Sequence, residues 1–183
     1  MRSLPRLRSI GLGLILAGAA WVSLAASPAT KVVNAGEVGI SLDWDSSWQI
    51  EPAGGDAPPN SAQFRTPDGS HMMVMITAGT PPPGADVEAH MKSVADSSAQ
   101  EFLAQSVEKE LPVEAFKNGD THGYQVCATD RAPKPGEYKY ICQGIAAAAD
   151  KVVVFTVLYN DPGKAQAARA LKALQALQIA KST

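Results

Sequence analysis

The chain has 183 residues, of which 45% are hydrophobic and 19% charged, the composition of a globular protein of single-domain length. Its 16 Lys and Arg residues and 18 Asp and Glu residues give a formal net charge of -2. The sequence contains no basic stripe that could neutralise a row of phosphates, so we expect no binding to nucleic acid.

Residues 1–29 have the pattern of an export signal peptide. Three arginines lie within the first eight residues, an apolar run covers residues 10–22, and small residues follow as far as Ala29. We predict cleavage near Ala26 or Ala29 and a periplasmic or secreted mature protein. The competing interpretation is an uncleaved anchor in the inner membrane, because the run extended to Ala26 approaches the roughly 17 residues that span a bilayer. Membrane contact would then be confined to this segment.

We expect a flexible leader at residues 30–37 and a single α+β domain at residues 38–183. Strands are predicted where apolar and β-branched residues alternate or cluster between turn residues, at 38–42, 48–51, 62–66, 71–78, 124–128, 138–145 and 152–159. An edge strand interrupted by Pro112 is predicted within 106–116. Apolar residues at three- and four-residue steps predict one helix over 86–105 and a terminal helix that begins at Asp161 and Pro162.

The strand at 71–78 has apolar residues on both faces, which predicts a position inside a sheet that is covered on both sides. His71, Met73 and Met75 share one face by the two-residue repeat, and Met91 could approach them from a covering helix. Thioethers beside an imidazole suit monovalent copper, so these residues are a candidate metal site. In the alternative interpretation the methionines fill core space and His71 lies at the exposed end of the strand. We expect no cofactor.

Residues 122–145 predict a hairpin with a cysteine on each arm. When its loop is centred between residues 134 and 135, Cys127 lies opposite Cys142 and Asp130 opposite Lys139. Directly opposed residues are close enough for a disulfide, and export places the cysteines in an oxidising compartment. Closing this loop stabilises the fold by about 3 kcal/mol on the chain-entropy model. The competing redox role would call for Cys-x-x-Cys at a helix start, a spacing that these cysteines do not have.

The loop of this hairpin is a candidate partner-binding surface. It carries Asp130, Arg131, Lys134 and Glu137 on a frame that the disulfide would make rigid, and rigidly presented loops are common binding surfaces. The alternative is a solvated hairpin tip with no partner.

Catalytic motifs are nearly absent from the sequence. Ser106 and Lys109 match the Ser-x-x-Lys pattern of penicillin-recognising enzymes, but the match falls where a helix ends and has no partner motifs downstream. No nucleophile elbow, phosphate loop or zinc-binding His-Glu-x-x-His occurs. We therefore predict that the protein is not an enzyme.

The segment ATDRAPKPGEYKY, followed by QG and VVVFTVLYND, resembles a recurring segment of small exported bacterial proteins of uncharacterised function. The order of elements over most of the mature chain resembles, more distantly, the PsbP-like and DcrB-like α/β domain. This resemblance implies a central antiparallel sheet flanked by helices and a binding or accessory role, and it carries over no catalytic residues. We predict a non-enzymatic binding protein of the bacterial envelope whose partner is an envelope protein or ligand. A small-ligand or copper-binding periplasmic protein is the alternative.

Overall fold

A computed structural model of the chain describes residues 29–51, 54, 57–68 and 71–180. The predicted signal peptide, apart from Ala29, lies outside the described residues. The strands are β1 (Ala29–Ala35), β2 (Val38–Trp44), β3 (Gln49–Glu51), β4 (Ser61–Arg65), β5 (Met72–Gly79), β6 (Glu114–Asn118), β7 (Thr121–Thr129), β8 (Tyr140–Ala148), β9 (Lys151–Tyr159) and β10 (Gln178–Ile179). The helices are α1 (Val87–Leu103) and α2 (Lys164–Gln175), and a 3₁₀ turn (Asp161–Gly163) precedes α2.

Seven strands form the main sheet in the order β3-β4-β5-β9-β8-β7-β6, and β1, β2 and β10 form a smaller sheet. Neighbouring strands in both sheets are antiparallel. The structure thus confirms the predicted α+β class, and β6 lies at the edge of the main sheet as expected, although it begins at Glu114, after Pro112, rather than near residue 106. Neither helix in the described part of the chain is long and apolar enough to cross a bilayer.

The main core lies between the seven-stranded sheet and a layer formed by the smaller sheet and α2. Alternate residues of a strand point to opposite faces, so β5 and β9 each give every second side chain to this core. Val74 and Ile76 of β5 and Phe155 and Val157 of β9 have no exposed surface. Burying a side chain of this size stabilises the fold by about 1.5–3 kcal/mol. The core therefore determines which face of the sheet α2 covers.

Aromatic rings cover two glycines on this core face of the main sheet. Gly144 of β8 lies opposite Phe155, and a Cβ atom built on Gly144 would come within 2.1 Å of the Phe155 ring. Gly123 of β7 lies opposite Phe116, and a Cβ atom there would come within 2.0 Å of the Ile145 carbonyl oxygen and 2.9 Å of the Phe116 ring. The missing side chain of Gly144 thus provides the space that the Phe155 ring fills, and that of Gly123 allows the β8 backbone and the Phe116 ring to approach closely.

The opposite face of the sheet is covered by α1, but only in part. The side chain of Asp86 caps the helix start by accepting a hydrogen bond from the Ala89 N–H at 3.0 Å. Met91 has no exposed surface and packs against Ile145 of β8. Because α1 lies over β7 and β8, Met75 of β5 is 39% exposed. The expectation that strand 71–78 is covered on both faces is therefore wrong for this end of the sheet.

The expected flexible leader at residues 30–37 is replaced by β1. All seven of its residues pair with β2, and the side chains of Val33 and Ala35 are fully buried in the main core. A strand forms here because β2 supplies backbone partners and the main sheet supplies an apolar surface for every second side chain.

The terminal helix begins later than the sequence indicates. The sequence predicts a helix start at Asp161 and Pro162, but Asn160 stands at the cap position of a 3₁₀ turn and makes no side-chain capping bond. Asp161 lies in that turn, and α2 begins at Lys164. The predicted apolar face is confirmed, since Ala167, Ala170 and Leu174 are buried against the sheet.

Candidate functional site

The cysteine hairpin has the predicted register. Cys127 is the direct partner of Cys142, with 4.1 Å between their Cα atoms, and their sulfurs form a disulfide bond. Cys142 is 1% exposed within the main core, whereas Cys127 is exposed. The Asp130 N–H donates to the Lys139 carbonyl oxygen at 2.8 Å, which extends the ladder beyond the disulfide toward the loop.

A cleft with a volume of about 570 Å³ opens beside this loop, between the end of α1 and the hairpin. Its floor is one row of apolar side chains across four neighbouring strands: Met73 of β5, Leu158 of β9, Ile141 of β8 and Ala128 of β7. The row lies on the sheet face that α1 leaves partly open. The sheet thus supplies an apolar surface that is accessible from solvent.

Two aromatic side chains form walls of the cleft. Phe102 comes from the last turn of α1, and Tyr138 comes from the hairpin loop. Burial raises the pKa of the Tyr138 phenol, and the charges of Arg65 and Asp68 act on it with opposite signs. The phenol therefore stays neutral at physiological pH and presents an apolar ring with a polar tip.

The four loop residues that were predicted to bind a partner have different roles. Asp130 and Glu137 line the cleft. Arg131 donates through Nε and Nη2 to the Ser106 carbonyl oxygen, at 3.1 and 2.6 Å, and so holds the loop against the segment that follows α1. Lys134 points away with 81% of its side chain exposed, 3.8 Å from a Glu137 oxygen. The loop therefore contributes carboxylates to the cleft, while its arginine has a positioning role.

The Ser-x-x-Lys match has a structural explanation. Ser106 is 1% exposed, its hydroxyl donates to the Glu108 carboxylate, and that carboxylate also accepts the Thr129 N–H at 3.1 Å. The Ser106 hydroxyl is thus bonded to a carboxylate. The hydrogen bonds between described residues include none from Ser106 to Lys109. Partial burial raises the pKa of Glu108, but the hydrogen bonds from Ser106 and Thr129 outweigh it and lower the pKa from 4.5 to about 2.

Glu108→Gln should lower the free energy of unfolding at pH 7 by about 1 kcal/mol. Hydrogen bonds to a buried carboxylate would contribute more, but solvent screens this partly exposed one. Because the folded-state pKa is depressed, the stabilising contribution of Glu108 is complete above pH 4.5 and is lost as the pH falls through about 2. Urea denaturation at a series of pH values should therefore show the difference from the wild type shrinking below pH 4.5. Glu110→Gln, at an exposed position two residues along, should match the wild type throughout.

A charged cluster beside the cleft fixes the start of α2. Asp161 accepts hydrogen bonds from the Tyr140 hydroxyl at 2.7 Å and forms an ion pair with Lys164 at 2.8 Å, and Lys139 is 3.4 Å away. The hydrogen bonds from Lys164 and Tyr140 hold the pKa of Asp161 well below its usual range. The Tyr140 ring stacks on Tyr159 with 4.9 Å between centroids. The charged and hydroxyl groups of this cluster pair with one another. The ammonium of Lys139 therefore interacts with Asp161, which does not line the cleft.

The candidate copper ligands lie in different surroundings. His71 Nδ1 is 2.7 Å from an Asp68 carboxylate oxygen, and the Met73 sulfur accepts a hydrogen bond from Gln63 Nε2 at 3.0 Å in the cleft floor. Met75 lies one row further along the sheet and is exposed. Met91 packs against β8 on the covered part of the face, away from β5. The copper site stays a prediction, which titration with monovalent copper would test.

Within the described ranges, no cluster of three or more histidine, cysteine or acidic side chains is arranged to hold a metal ion. A second cavity of about 400 Å³ lies at the other end of α1, lined by Val87, Val94 and Val154 among other apolar groups, with His90 as its ionisable side chain. No Asp, Glu, Lys or Arg side chain is among the described residues that line it, whereas the first cleft combines an apolar floor with carboxylates that can orient a partner, so the first cleft is the stronger candidate site.

The cleft could not be predicted from the sequence. Met73, Ala128, Ile141 and Leu158 come from four strands, and their alignment in one row depends on the register of three strand pairs. Alternation along each strand indicated which face each residue occupies. The order of the strands in the sheet, which makes them neighbours, has no local signature in the sequence.

Solved structures share this architecture. The chain is similar to cyanobacterial PsbP (CyanoP) from Synechocystis sp. PCC 6803, with a TM-score of 0.54, 9% identity, and 84% of this chain and 94% of that chain covered. It is also similar to a protein from Bacteroides thetaiotaomicron VPI-5482, with a TM-score of 0.50 and 15% identity over 78% of this chain. The match spans 46% of the Bacteroides chain, so this chain corresponds to about half of that protein.

The Ran-binding protein Mog1p from Saccharomyces cerevisiae matches 84% of this chain and 96% of its own, with a TM-score of 0.48 and 10% identity. No protein-family model matches the chain, and no curated protein matches it significantly. At these identities the similarity concerns the fold. An antiparallel sheet flanked by helices, matched over most of both chains, gives this protein the PsbP-like fold that the sequence resemblance predicts.

Proposed function

We propose that this chain is a non-enzymatic binding protein of the bacterial envelope, and that the cleft between α1 and the hairpin loop is its binding site. The observation that carries the proposal is the open apolar row at the floor of the cleft. Ligand sites typically have volumes of about 300–1,000 Å³, are largely apolar and carry a few polar groups, and the cleft has these properties.

Two features support an exported location. The N-terminal 29 residues have the charge and hydrophobicity pattern of a signal peptide. The chain also forms a disulfide between Cys127 and Cys142, and such bonds persist in oxidising compartments such as the bacterial periplasm.

The chemistry of the reactive side chains favours binding over catalysis. Both cysteines are consumed by the disulfide, so neither supplies a thiolate nucleophile. The Ser106 hydroxyl is buried and donates to Glu108 rather than to a histidine base. The cleft itself combines an apolar floor with carboxylates and the Gln105 amide, groups that can contact the apolar and basic side chains of a partner.

Gln105→Trp should block the cleft and abolish partner capture. Gln105 lines the cleft just after the end of α1, and its exposed side chain can be enlarged without disturbing the core. The immobilised protein would be incubated with envelope extract, and the captured proteins identified by mass spectrometry. The matched control is Gln100→Trp, on an exposed position of α1 that does not line the cleft.

We expect partners that are enriched on the wild type and on Gln100→Trp but lost on Gln105→Trp, with all three proteins unfolding at the same temperature. Equal capture by Gln105→Trp would show that the cleft is not the binding site. A wild-type protein that captures nothing above background would contradict the binding role.

A further inference from the structure

The ionisable side chains that line the cleft are mainly acidic. Glu101, Asp130 and Glu137 contribute three carboxylates against the single ammonium of Lys139. Lys139 is paired with Asp161 and Glu137 with Lys134, so the charges of Lys139 and Glu137 are each balanced by a residue that does not line the cleft, and the carboxylates of Glu101 and Asp130 remain. Glu101 is exposed on the last turn of α1, and none of the hydrogen bonds or ion pairs between described residues engages its carboxylate. The site therefore presents negative charge around an apolar floor.

The dimensions of the floor suit an extended chain. Its row of side chains crosses four strands, and three interstrand spacings give a length of roughly 14 Å. An extended peptide rises about 3.3 Å per residue, so roughly four residues cover the row. Alternate side chains of such a segment point to opposite sides, which lets apolar residues meet the floor while the others reach the acidic groups.

We infer, building on the proposed function, that the cleft binds a short extended segment of a protein partner in which Lys or Arg residues alternate with apolar residues. The apolar side chains contact the row formed by Met73, Leu158 and Ile141. The methylene stems of the basic residues lie along the rings of Phe102 and Tyr138, and their charged heads reach the carboxylates. The partner thereby matches both the hydrophobic floor and the charge of the cleft.

The test uses defined probes with the oxidised protein. Acetylated, amidated Lys-Leu-Lys-Leu-Lys is titrated by isothermal calorimetry and by ¹H–¹⁵N NMR, beside Glu-Leu-Glu-Leu-Glu and Ser-Leu-Ser-Leu-Ser. Dodecyltrimethylammonium below its micelle concentration serves as a small cationic amphiphile. The Glu101→Lys, Glu137→Lys double variant reverses two charges of the cleft. The matched control is Glu37→Lys, Glu110→Lys, which makes the same change at exposed positions outside it.

We expect the Lys-Leu peptide to shift the amide resonances of residues 128–130 and 138–141 and to bind at least tenfold more tightly than either other peptide. Its affinity should fall at least tenfold in the cleft variant and by less than threefold in the control, and it should weaken with added salt. Equal binding of the three peptides, equal losses in both variants, or binding of the amphiphile without the peptide would each overturn the inference.

The failure of this inference can be separated from the failure of the proposed function. If Gln105→Trp abolishes capture from the envelope extract while the Lys-Leu peptide does not bind, the cleft is a binding site for a partner of different chemistry. If Gln105→Trp leaves capture unchanged, the proposed function itself is wrong.

Discussion

Replacing Cys127 and Cys142 together with alanine should lower the free energy of unfolding by about 3 kcal/mol, because the unfolded chain loses the constraint of a 15-residue loop. For a domain of this size the loss corresponds to a fall in melting temperature of roughly 6–12 °C. Urea denaturation monitored by tryptophan fluorescence measures the difference directly. The double alanine variant leaves no unpaired thiol and places no polar group in the core beside Cys142.

The wild-type protein, reduced in urea and refolded with the reductant present, supplies the control for this prediction. It should unfold at the urea concentration that unfolds the variant, because both proteins lack the cross-link. The reduced protein keeps the cysteine side chains, so the comparison separates the effect of the cross-link from that of the side chains. If the reduced protein is as stable as the oxidised protein, the disulfide contributes little, and the stabilising role given to it would be contradicted.

Gly144→Ala should destabilise the fold by about 3 kcal/mol, at the upper end of the range for overpacked cores. The added Cβ atom would lie 2.1 Å from the ring of Phe155, whose side chain has no exposed surface. The Gly79→Ala variant is the matched control, because Gly79 also lies in a strand and a Cβ atom there meets nothing within 4 Å. It should leave the free energy of unfolding unchanged or raise it slightly.

The same clash predicts that the effects of two substitutions are not additive. Phe155→Leu alone should destabilise the protein by creating a cavity, but it removes the ring that Gly144→Ala meets. The double variant should therefore be at least 1 kcal/mol more stable than the sum of the single effects predicts. Additive effects, measured by urea denaturation of all four proteins, would show that the ring does not occupy the space above Gly144.

The hairpin was predictable because its constraints are local. The two cysteines, the turn residues between them and the alternation of the flanking strands all favour one register, which the structure confirms. The antiparallel α+β class followed from the order of strands and helices, and the resemblance to the PsbP-like domain indicated the same fold.

Two predictions were wrong, the flexible leader at residues 30–37 and the cover on both faces of strand 71–78. In both cases the burial of the residues depends on a distant part of the chain. Residues 30–37 have few apolar side chains, so whether they are ordered depends on β2 and the main core. In the same way, Met75 is apolar yet exposed, because α1 covers the other strands of that face. The cleft is a consequence of that partial cover, so the sequence pattern of any one strand could not reveal it.

The disulfide joins an exposed residue, Cys127, to Cys142, which is buried in the core. An attacking thiolate can reach only Cys127 without opening the fold, and its attack would expel the sulfur of Cys142 as a thiolate. The apolar walls around Cys142 disfavour that charge, so the accessible sulfur is bonded to a poor leaving group. Thiol–disulfide exchange with the folded protein should consequently be slow, even though half of the bond faces solvent.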